Sequence, residues 1–333
     1  MTINHTVRLI ARPLGEPKST DFAFADEPLA ALGDGQILVK TRYLSLDPAM
    51  RGWMNEGKSY IEPVGLGEVM RAGGVGEVVA SNHPKFVVGD MVVGSPGVQT
   101  YFSGDARGWV KVDRNAVPLT TYLNVLGMPG MTAYFGLLEA GEPKAGETVV
   151  VSGAAGAVGA TVGQVAKIMG CRAVGIAGGA EKCRMVVDEF GFDDCIDYKN
   201  EDVRQGLKRA CPNGVDVYFD NVGGEILDTV LTRINLHARI VICGAISQYN
   251  NTTPVKGPAN YLSLLVNRAR MQGIVVFDYA PRYKEGALVM GGWLKEGRLI
   301  SKEHVEDGID RFPEVLMKLF KGENFGKLVL KVD

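Results

Sequence analysis

The sequence predicts an α/β protein, a doubly wound parallel sheet inserted into a β-barrel-like domain built from both ends of the chain. Three observations predict it. A β-branched run at 148–151 meets a glycine turn and then a helical apolar period, and strands and helices alternate from there to about residue 277. Before about residue 125 the chain reads instead as short strands separated by Gly, Pro and Asp turns. Beyond about 300 a last strand at 328–331 returns it to the first domain.

Taken in order, the first domain offers strands at 7–11, 36–46, 69–80, 91–94 and 108–112. Gly73-Gly74-Val75-Gly76 suits a strongly bent sheet, where backbones approach closely. A helix around 131–138 leads past Pro143 into the alternating region. Strands are expected there at 148–151, 173–177, 195–197, 215–220, 239–244 and 271–277, with helices near 181–190, 202–210, 225–234 and 261–266. Two further helices are expected at 283–295 and 312–321. There is no internal repeat and no low-complexity segment.

The stretch at 148–182 carries the first chemistry. After the strand comes Ser152-Gly153-Ala154-Ala155-Gly156-Ala157-Val158-Gly159. Small residues from Gly153 to Gly156 permit a tight turn and bring backbone N–H groups close to a pyrophosphate. Gly159 lets the helix pack on the sheet with its positive end toward the phosphates. A lone glycine motif is weak, but the strand before it and the helix after it favour nucleotide binding over a structural turn. Gly159-x-x-x-Gly163 also invites a membrane-helix reading. Ser152, Thr161 and Gln164 interrupt that segment, so a soluble helix is expected.

The tip of the second strand selects the cofactor. An NAD site usually places Asp or Glu there to bind the ribose 2′-hydroxyl. This chain reads Ala177-Gly178-Gly179-Ala180-Glu181-Lys182. The glycines leave room for a 2′-phosphate and Lys182 supplies a positive charge, against the plainer reading of a solvated helix lysine. NADPH is the expected cofactor. The carboxyl ends of later strands add the loops 221–224 and 244–249 to the ligand crevice.

Composition removes other classes. With 333 residues, 46% hydrophobic, 22% charged and a net charge of −2, the chain suits a soluble globular protein with one large or two ordinary domains. No basic run points to nucleic acid, and no apolar leader or membrane span is read, so the expectation is cytoplasmic. The five cysteines (Cys171, Cys183, Cys195, Cys211, Cys243) form no Cys-x-x-Cys pair; unreactive buried thiols are expected rather than a disulfide framework. No cysteine precedes Cys171, and His5 and His83 are the only histidines in that region. Without a Cys/His ligand cluster a metal-free site is expected.

Six separated segments then make a family resemblance. They are Leu44-Ser45-Leu46-Asp47-Pro48-Ala49-Met50-Arg51, Leu126-Gly127-Met128-Pro129-Gly130-Met131-Thr132-Ala133-Tyr134, Gly178-Gly179-Ala180-Glu181-Lys182-Cys183, Asp220-Asn221-Val222-Gly223-Gly224, Cys243-Gly244-Ala245-Ile246-Ser247 and Asn324-Phe325-Gly326-Lys327. In that order they resemble the zinc-independent, NADPH-dependent double-bond reductases of the medium-chain dehydrogenase/reductase superfamily. That group includes leukotriene B4 dehydrogenase/prostaglandin reductase, plant 2-alkenal reductases and bacterial curcumin reductase, the last branch being nearest in pattern.

The resemblance implies a GroES-like β-barrel catalytic domain over 1–125 and 300–333, and a Rossmann NADPH-binding domain over 126–299. It implies hydride transfer from NADPH to the β-carbon of an α,β-unsaturated ketone or aldehyde, with charge developing on the carbonyl oxygen. Tyr60 and Tyr249 match tyrosines that face substrate. A phenol with a pKa near 10 suits hydrogen bonding better than obligatory proton donation. Gly153, Ala154, Gly156, Ala157, Val158 and Gly159 would cradle the pyrophosphate, while Lys182 and Tyr198 would hold the 2′-phosphate. Asn221, Cys243, Gly244, Ala245, Ile246 and Ser247 would line the cofactor, with Asn324 near the nicotinamide or pyrophosphate. A homodimer is implied too. Asp47 and Arg51 read better as an internal turn and salt bridge than as catalysts. The competing readings are an NADPH:quinone oxidoreductase and a non-catalytic NADPH-binding protein, separable by turnover.

Overall fold

The computed structural model describes residues 2–332. Contacts divide them into two compact units, one running up to Leu123 and resuming at Glu303, the other Asn124–Lys302. The first opens with β1 (Ile3–Leu9), β2 (Phe22–Pro28), β3 (Gln36–Ser45), α1 (Ala49–Trp53), β4 (Gly74–Ser81), β5 (Met91–Gly94), β6 (Tyr101–Asp105) and β7 (Val110–Lys111). The second holds α2 (Met128–Phe135), β8 (Thr148–Ser152), α3 (Ala157–Ile168), β9 (Arg172–Ala177), α4 (Ala180–Asp188), β10 (Asp194–Asp197) and α5 (Val203–Ala210). It continues with β11 (Val215–Asp220), α6 (Gly224–Leu231), β12 (Ile234–Ile242), α7 (Leu262–Val266), β13 (Arg270–Gly273) and α8 (Tyr283–Lys295). Back in the first unit come β14 (Glu303–Asp307), α9 (Phe312–Lys321) and β15 (Lys327–Lys331).

In the first unit β3 anchors a mixed sheet of order β14-β15-β3-β4-β5-β7, and β6 pairs with β3 as well. Along one edge of β3, residues Gln36–Lys40 face β6 while Tyr43–Ser45 face β15. One edge serves two partners because the sheet bends there, with register shifts against β4 at Leu38/Val39 and Thr41/Tyr43. The glycines of β4 are what the bend requires: a Cβ on Gly76 would lie 2.4 Å from the Lys40 carbonyl oxygen, and one on Gly74 2.9 Å from that of Tyr43. Leu9, Leu44, Met50, Met70, Phe312, Leu316 and Leu328 fill the core, with Phe22 edge-on to Phe312.

The turn after β3 departs from the expected pairing. Asp47 bonds not to Arg51 but to Lys327, whose ammonium donates to Asp47 Oδ1 and to the Leu46 carbonyl, each at 2.7 Å. Ser45 Oγ donates to the other Asp47 oxygen. Arg51 donates instead to the carbonyls of Pro13 and Gly15 and to Asn55. Sequence adjacency suggested a partner that the fold supplies from the opposite end of the chain.

The second unit is a six-stranded, all-parallel sheet of order β10-β9-β8-β11-β12-β13. The order reverses between β8 and β11, the switch point of a doubly wound fold. Val149, Val150 and Val151 of the central β8 are fully buried, as both-face coverage demands. Gly163 of α3 serves packing within the protein: a Cβ there would meet the Phe192 ring at 1.7 Å. No helix among the described residues is long and apolar enough to cross a membrane.

Boundaries differ from expectation where one element gives way to the next. α2 begins at Met128 and a π-helical stretch extends it to Gly141. α6 ends at Leu231 because Ile234 already pairs with β11. The expected strand at 271–277 stops at Gly273, and after two residues the chain winds into a 3-10 helix, Val276–Arg282. The cysteine expectation also needs correcting. Cys183 on α4 and Cys195 on β10 are disulfide-bonded, with Cα atoms 5.3 Å apart. Their pairing is spatial, made when α4 folds back toward β10, and spacing along the chain does not show it. Cys171 and Cys211 are buried thiols, pushed up to about 11 by desolvation.

Candidate functional site

The carboxyl end of the parallel sheet gathers most of the candidate residues, beginning with the glycine turn. β8 ends at Ser152, and Gly153 takes a positive φ of 62° to start the turn. Gly156 caps α3 in an extended conformation, so the first N–H groups of Ala157, Val158 and Gly159 lack helical acceptors and face the crevice. Gly159 has no room for a side chain: its Cβ would fall 2.3 Å from the Gly153 carbonyl oxygen. Only glycine lets the turn and the helix close on one another.

The next strand tip closes against this turn. Asn221 donates its backbone N–H to Ser152 Oγ (2.9 Å) and its side-chain amide to the Ser152 carbonyl (2.7 Å). Asp220 fixes the loop that follows. Its Oδ1 accepts from Ser152, Tyr218 and the N–H groups of Val222 and Gly223, at 2.8–3.0 Å. Its backbone carbonyl accepts from Cys243 and Gly244. The loop at 243–249 therefore hangs on the end of β11. Ile246 and Ser247 donate to the carbonyls of Asn221 and Val222, and a Cβ on Gly223 would reach Ala245 at 3.0 Å. Burial pushes the Cys243 thiol up to about 12, away from nucleophilic use.

Tyr249 lies at the end of that loop, and its hydroxyl accepts the Ala245 N–H at 3.1 Å. A Cβ on Gly244 would touch the same oxygen at 2.8 Å. Accepting an N–H polarises a phenol and makes it a better donor.

The tip of β9 has a different character. No carboxylate stands on Ala177, Gly178 or Gly179, and Glu181 in the first turn of α4 is exposed. The Tyr198 ring lies against Gly178, where a Cβ would come within 2.8 Å of its hydroxyl oxygen. Lys182 is held below its usual value, first by burial and then by the neighbouring Lys199 charge. Burial raises the Tyr198 phenol, keeping it protonated, with the Asp197 charge adding to the effect. The glycine tip of β9 thus carries the Tyr198 ring on Gly178 and, directly after Gly179, the first turn of α4 with Lys182 in it.

Within this unit the structure thus brings Gly153–Gly159 together with Asn221 and the 243–249 loop, and seats the Tyr198 ring on Gly178, just before the start of α4 that carries Lys182. Tyr60 and Asn324 belong to the other unit. Tyr60 is exposed on a bend after α1, and the Asn324 amide donates to the Gly326 carbonyl at 2.8 Å. The sequence reading missed the segment after β13, where Ile274 continues the ladder onto the Ile242 carbonyl and Phe277 is 39% exposed. The carboxyl-end rule that picked out the loops after β11 and β12 applies equally to it. It went unnoticed because its apolar residues read as more strand. Among the described residues no three His, Cys, Asp or Glu side chains gather where they could hold a metal ion.

Comparison with known proteins gives this geometry a lineage. Residues 5–112 match the N-terminal domain of oxidoreductase, and residues 157–290 match a family described as zinc-binding dehydrogenase. The chain is 45% identical to an NADPH-dependent curcumin reductase of Escherichia coli, over 97% of this chain and 95% of that one. It is 42% identical to an NADP+-dependent 2-alkenal reductase of Nicotiana tabacum, over 96% and 94% of the two chains. The crystal structure of CurA from Vibrio vulnificus in complex with NADPH superposes with a TM-score of 0.94, at 44% identity over 99% of each chain. Identity at this level, sustained from one end of the chain to the other, shows that it belongs to the medium-chain dehydrogenase/reductase superfamily, among the NADPH-dependent double-bond reductases.

Proposed function

We propose that the protein reduces the carbon–carbon double bond of α,β-unsaturated ketones and aldehydes at the expense of NADPH. The observation that carries the reading is the near full-length identity with reductases named for curcumin and for 2-alkenals, both conjugated carbonyl compounds. The sheet's carboxyl end supports the cofactor half: a backbone that only glycine permits at 159, no acid at the β9 tip, the Tyr198 ring on Gly178, and Lys182 in the first turn of α4. NADPH, when bound, supplies the hydride that ends on the β-carbon.

The chain's own residues bind and orient. Gly153, Ala154, Gly156, Ala157, Val158 and Gly159 present N–H groups to the pyrophosphate at the α3 N-terminus. Lys182 and Tyr198 hold the 2′-phosphate. Asn221 and the residues Cys243, Gly244, Ala245, Ile246 and Ser247 form the wall along the cofactor. Tyr249, its hydroxyl polarised by the Ala245 N–H, donates toward the carbonyl oxygen as charge builds there. Tyr60 and Asn324 keep their proposed roles on the resemblance alone. The first unit serves as the catalytic, substrate-binding domain, the second as the NADPH domain. The protein works as a homodimer, a reading supported by the exposed edge strand β13 and the exposed Leu262, Leu265 and Val266 of α7, and its place is the cytoplasm on the resemblance alone.

The test is NADPH oxidation against enones, enals, quinones and simple ketones, repeated with NADH and with a chelator. Enone- or enal-dependent turnover that prefers NADPH and survives the chelator is the expected result. Turnover of quinones alone, or binding of NADPH with turnover of nothing, would replace it with one of the competing readings.

A further inference from the structure

The cofactor reading accounts for Lys182 and Tyr198 and leaves unexplained how the two are held in register, since they come from different elements. Lys182 lies in the first turn of α4 and Tyr198 follows β10. One carboxylate ties the two approaches together. Asp197 Oδ1 accepts the N–H of Gly179 at 2.7 Å and that of Lys199 at 3.1 Å, and Oδ2 accepts the Asn200 amide at 2.7 Å. The Tyr198 N–H meanwhile donates to the Ala177 carbonyl. The turn 197–200 is therefore tied to the glycine tip of β9 by two bonds, from Gly179 to the Asp197 carboxylate and from Tyr198 to the Ala177 carbonyl, while the same carboxylate braces the turn internally through Lys199 and Asn200.

The clamp has a consequence for Lys199. Asp197 bonds the backbone of Lys199, not its ammonium, and the Lys199 side chain is exposed. The turn that seats the Tyr198 ring on Gly178 is the turn that places Lys199. Its charge is felt at Lys182, whose ammonium it helps to depress. Lys182 and Lys199 are carried by two elements that Asp197 ties to the same glycine tip, and the Asp197 carboxylate sits between the turn and that tip. A phosphate dianion at the tip would meet the charge of both.

We infer that Lys199 is a second phosphate-binding cation of the cofactor site and that Asp197 is the positioning residue that aims it, an inference resting on the NADPH reading above. The pair selects the 2′-phosphate rather than the dinucleotide as such. It supplies charge at the one place where the two nicotinamide cofactors differ.

The test uses equilibrium binding, by calorimetry, of NADPH, NADH, adenosine 2′,5′-bisphosphate and 5′-AMP to the full chain. Lys199→Met should weaken NADPH and the bisphosphate about tenfold, near the low end for a lost hydrogen bond to a charged group. NADH and 5′-AMP should be unchanged, and the salt dependence of bisphosphate binding should become shallower. Asp197→Ala should show the same selective loss, and Asp197→Asn, which keeps the acceptor oxygen, should restore most of it. Melting temperature of each variant separates this from a fold defect. Lys199→Met that leaves the bisphosphate preference intact, or that weakens all four ligands equally, overturns the inference while the cofactor reading stands. A wild-type protein that binds the bisphosphate no better than 5′-AMP overturns the cofactor reading itself.

Discussion

At position 159 a methyl group has nowhere to go. The atoms it would meet are the Gly153 carbonyl oxygen and carbon and the Ala154 Cα, at 2.3, 2.8 and 3.0 Å, all backbone and none able to rotate aside. Gly159→Ala must therefore push α3 away from the turn. The expected cost is about 1–3 kcal/mol of stability, as for other overpacked sites, with a loss of at least about tenfold in NADPH affinity as the N–H groups leave the pyrophosphate. Denaturant melts and NADPH titration of one preparation check both; a variant binding NADPH as the parent does would remove the phosphate role from this turn. Lys327 poses the opposite problem, a buried ammonium balanced by the Asp47 carboxylate. It is 1% exposed and Asp47 7%, and burial lowers the ammonium against the pull of the carboxylate. Lys327→Met should cost about 3–5 kcal/mol by stranding Asp47, and adding Asp47→Leu should recover most of it. If the double variant is no more stable than the single one by urea unfolding, the pair is not what the loss reports. These residues show what a sequence discloses. The glycine turn at Gly153–Gly159 between β8 and α3 declares itself because strand, turn and helix follow one another locally. The partner of Asp47 lies 280 residues away, and neither it nor the Cys183–Cys195 pair has any local signal.

Among elements, the same logic separates the helices from the strands. α8 and α9 were legible to the residue because a 3.6-residue apolar period runs their whole length. β2, β6 and β14 were not. Glu303–Asp307 reads Glu-His-Val-Glu-Asp, and such charge is how an edge strand avoids pairing with other chains, at the expense of the alternation that would reveal it. That edge is held by electrostatics instead. Glu306 of β14 bonds Lys318 of α9, His304 at 3.0 Å and Arg311 at 3.2 Å. The Lys318 bond leads, and His304 adds to it, in holding this carboxylate below its ordinary value although burial pushes the other way. A carboxylate depressed in the folded state binds fewer protons there than in the unfolded chain. Its stabilisation is therefore complete above the unfolded value of about 4.3 and lost as pH falls through the folded one. Glu306→Gln should be less stable than the parent near neutrality, and the gap should close as the pH drops below about 4. Urea midpoints across that range test it, and a gap independent of pH would assign the loss to packing.

For the whole molecule, the open question is the edge at which the six-stranded sheet stops. β13 ends the order, with Arg270, Gln272 and Gly273 exposed. A parallel ladder leaves the far side of its last strand with a row of unpaired donors and acceptors. Beside it in sequence, α7 turns Leu264 toward the core and leaves Leu262, Leu265 and Val266 at 57%, 74% and 70% exposure. Apolar side chains clustered next to an open strand edge mark an association surface more often than a solvated one. A second copy meeting this edge about a two-fold axis would cap both ladders at once, since each copy brings the same strand and the same helix. The chain has a mass of 35.8 kDa, and sedimentation equilibrium at micromolar concentration should return twice that. Leu265→Glu tests the surface directly: in a monomer a glutamate at an exposed position changes stability by no more than about 0.5 kcal/mol, whereas in a dimer it buries a charge without a partner. The expected outcome is a variant that sediments as one chain and keeps its NADPH affinity. A parent already monomeric, or a variant that remains dimeric, would move the interface away from β13 and α7.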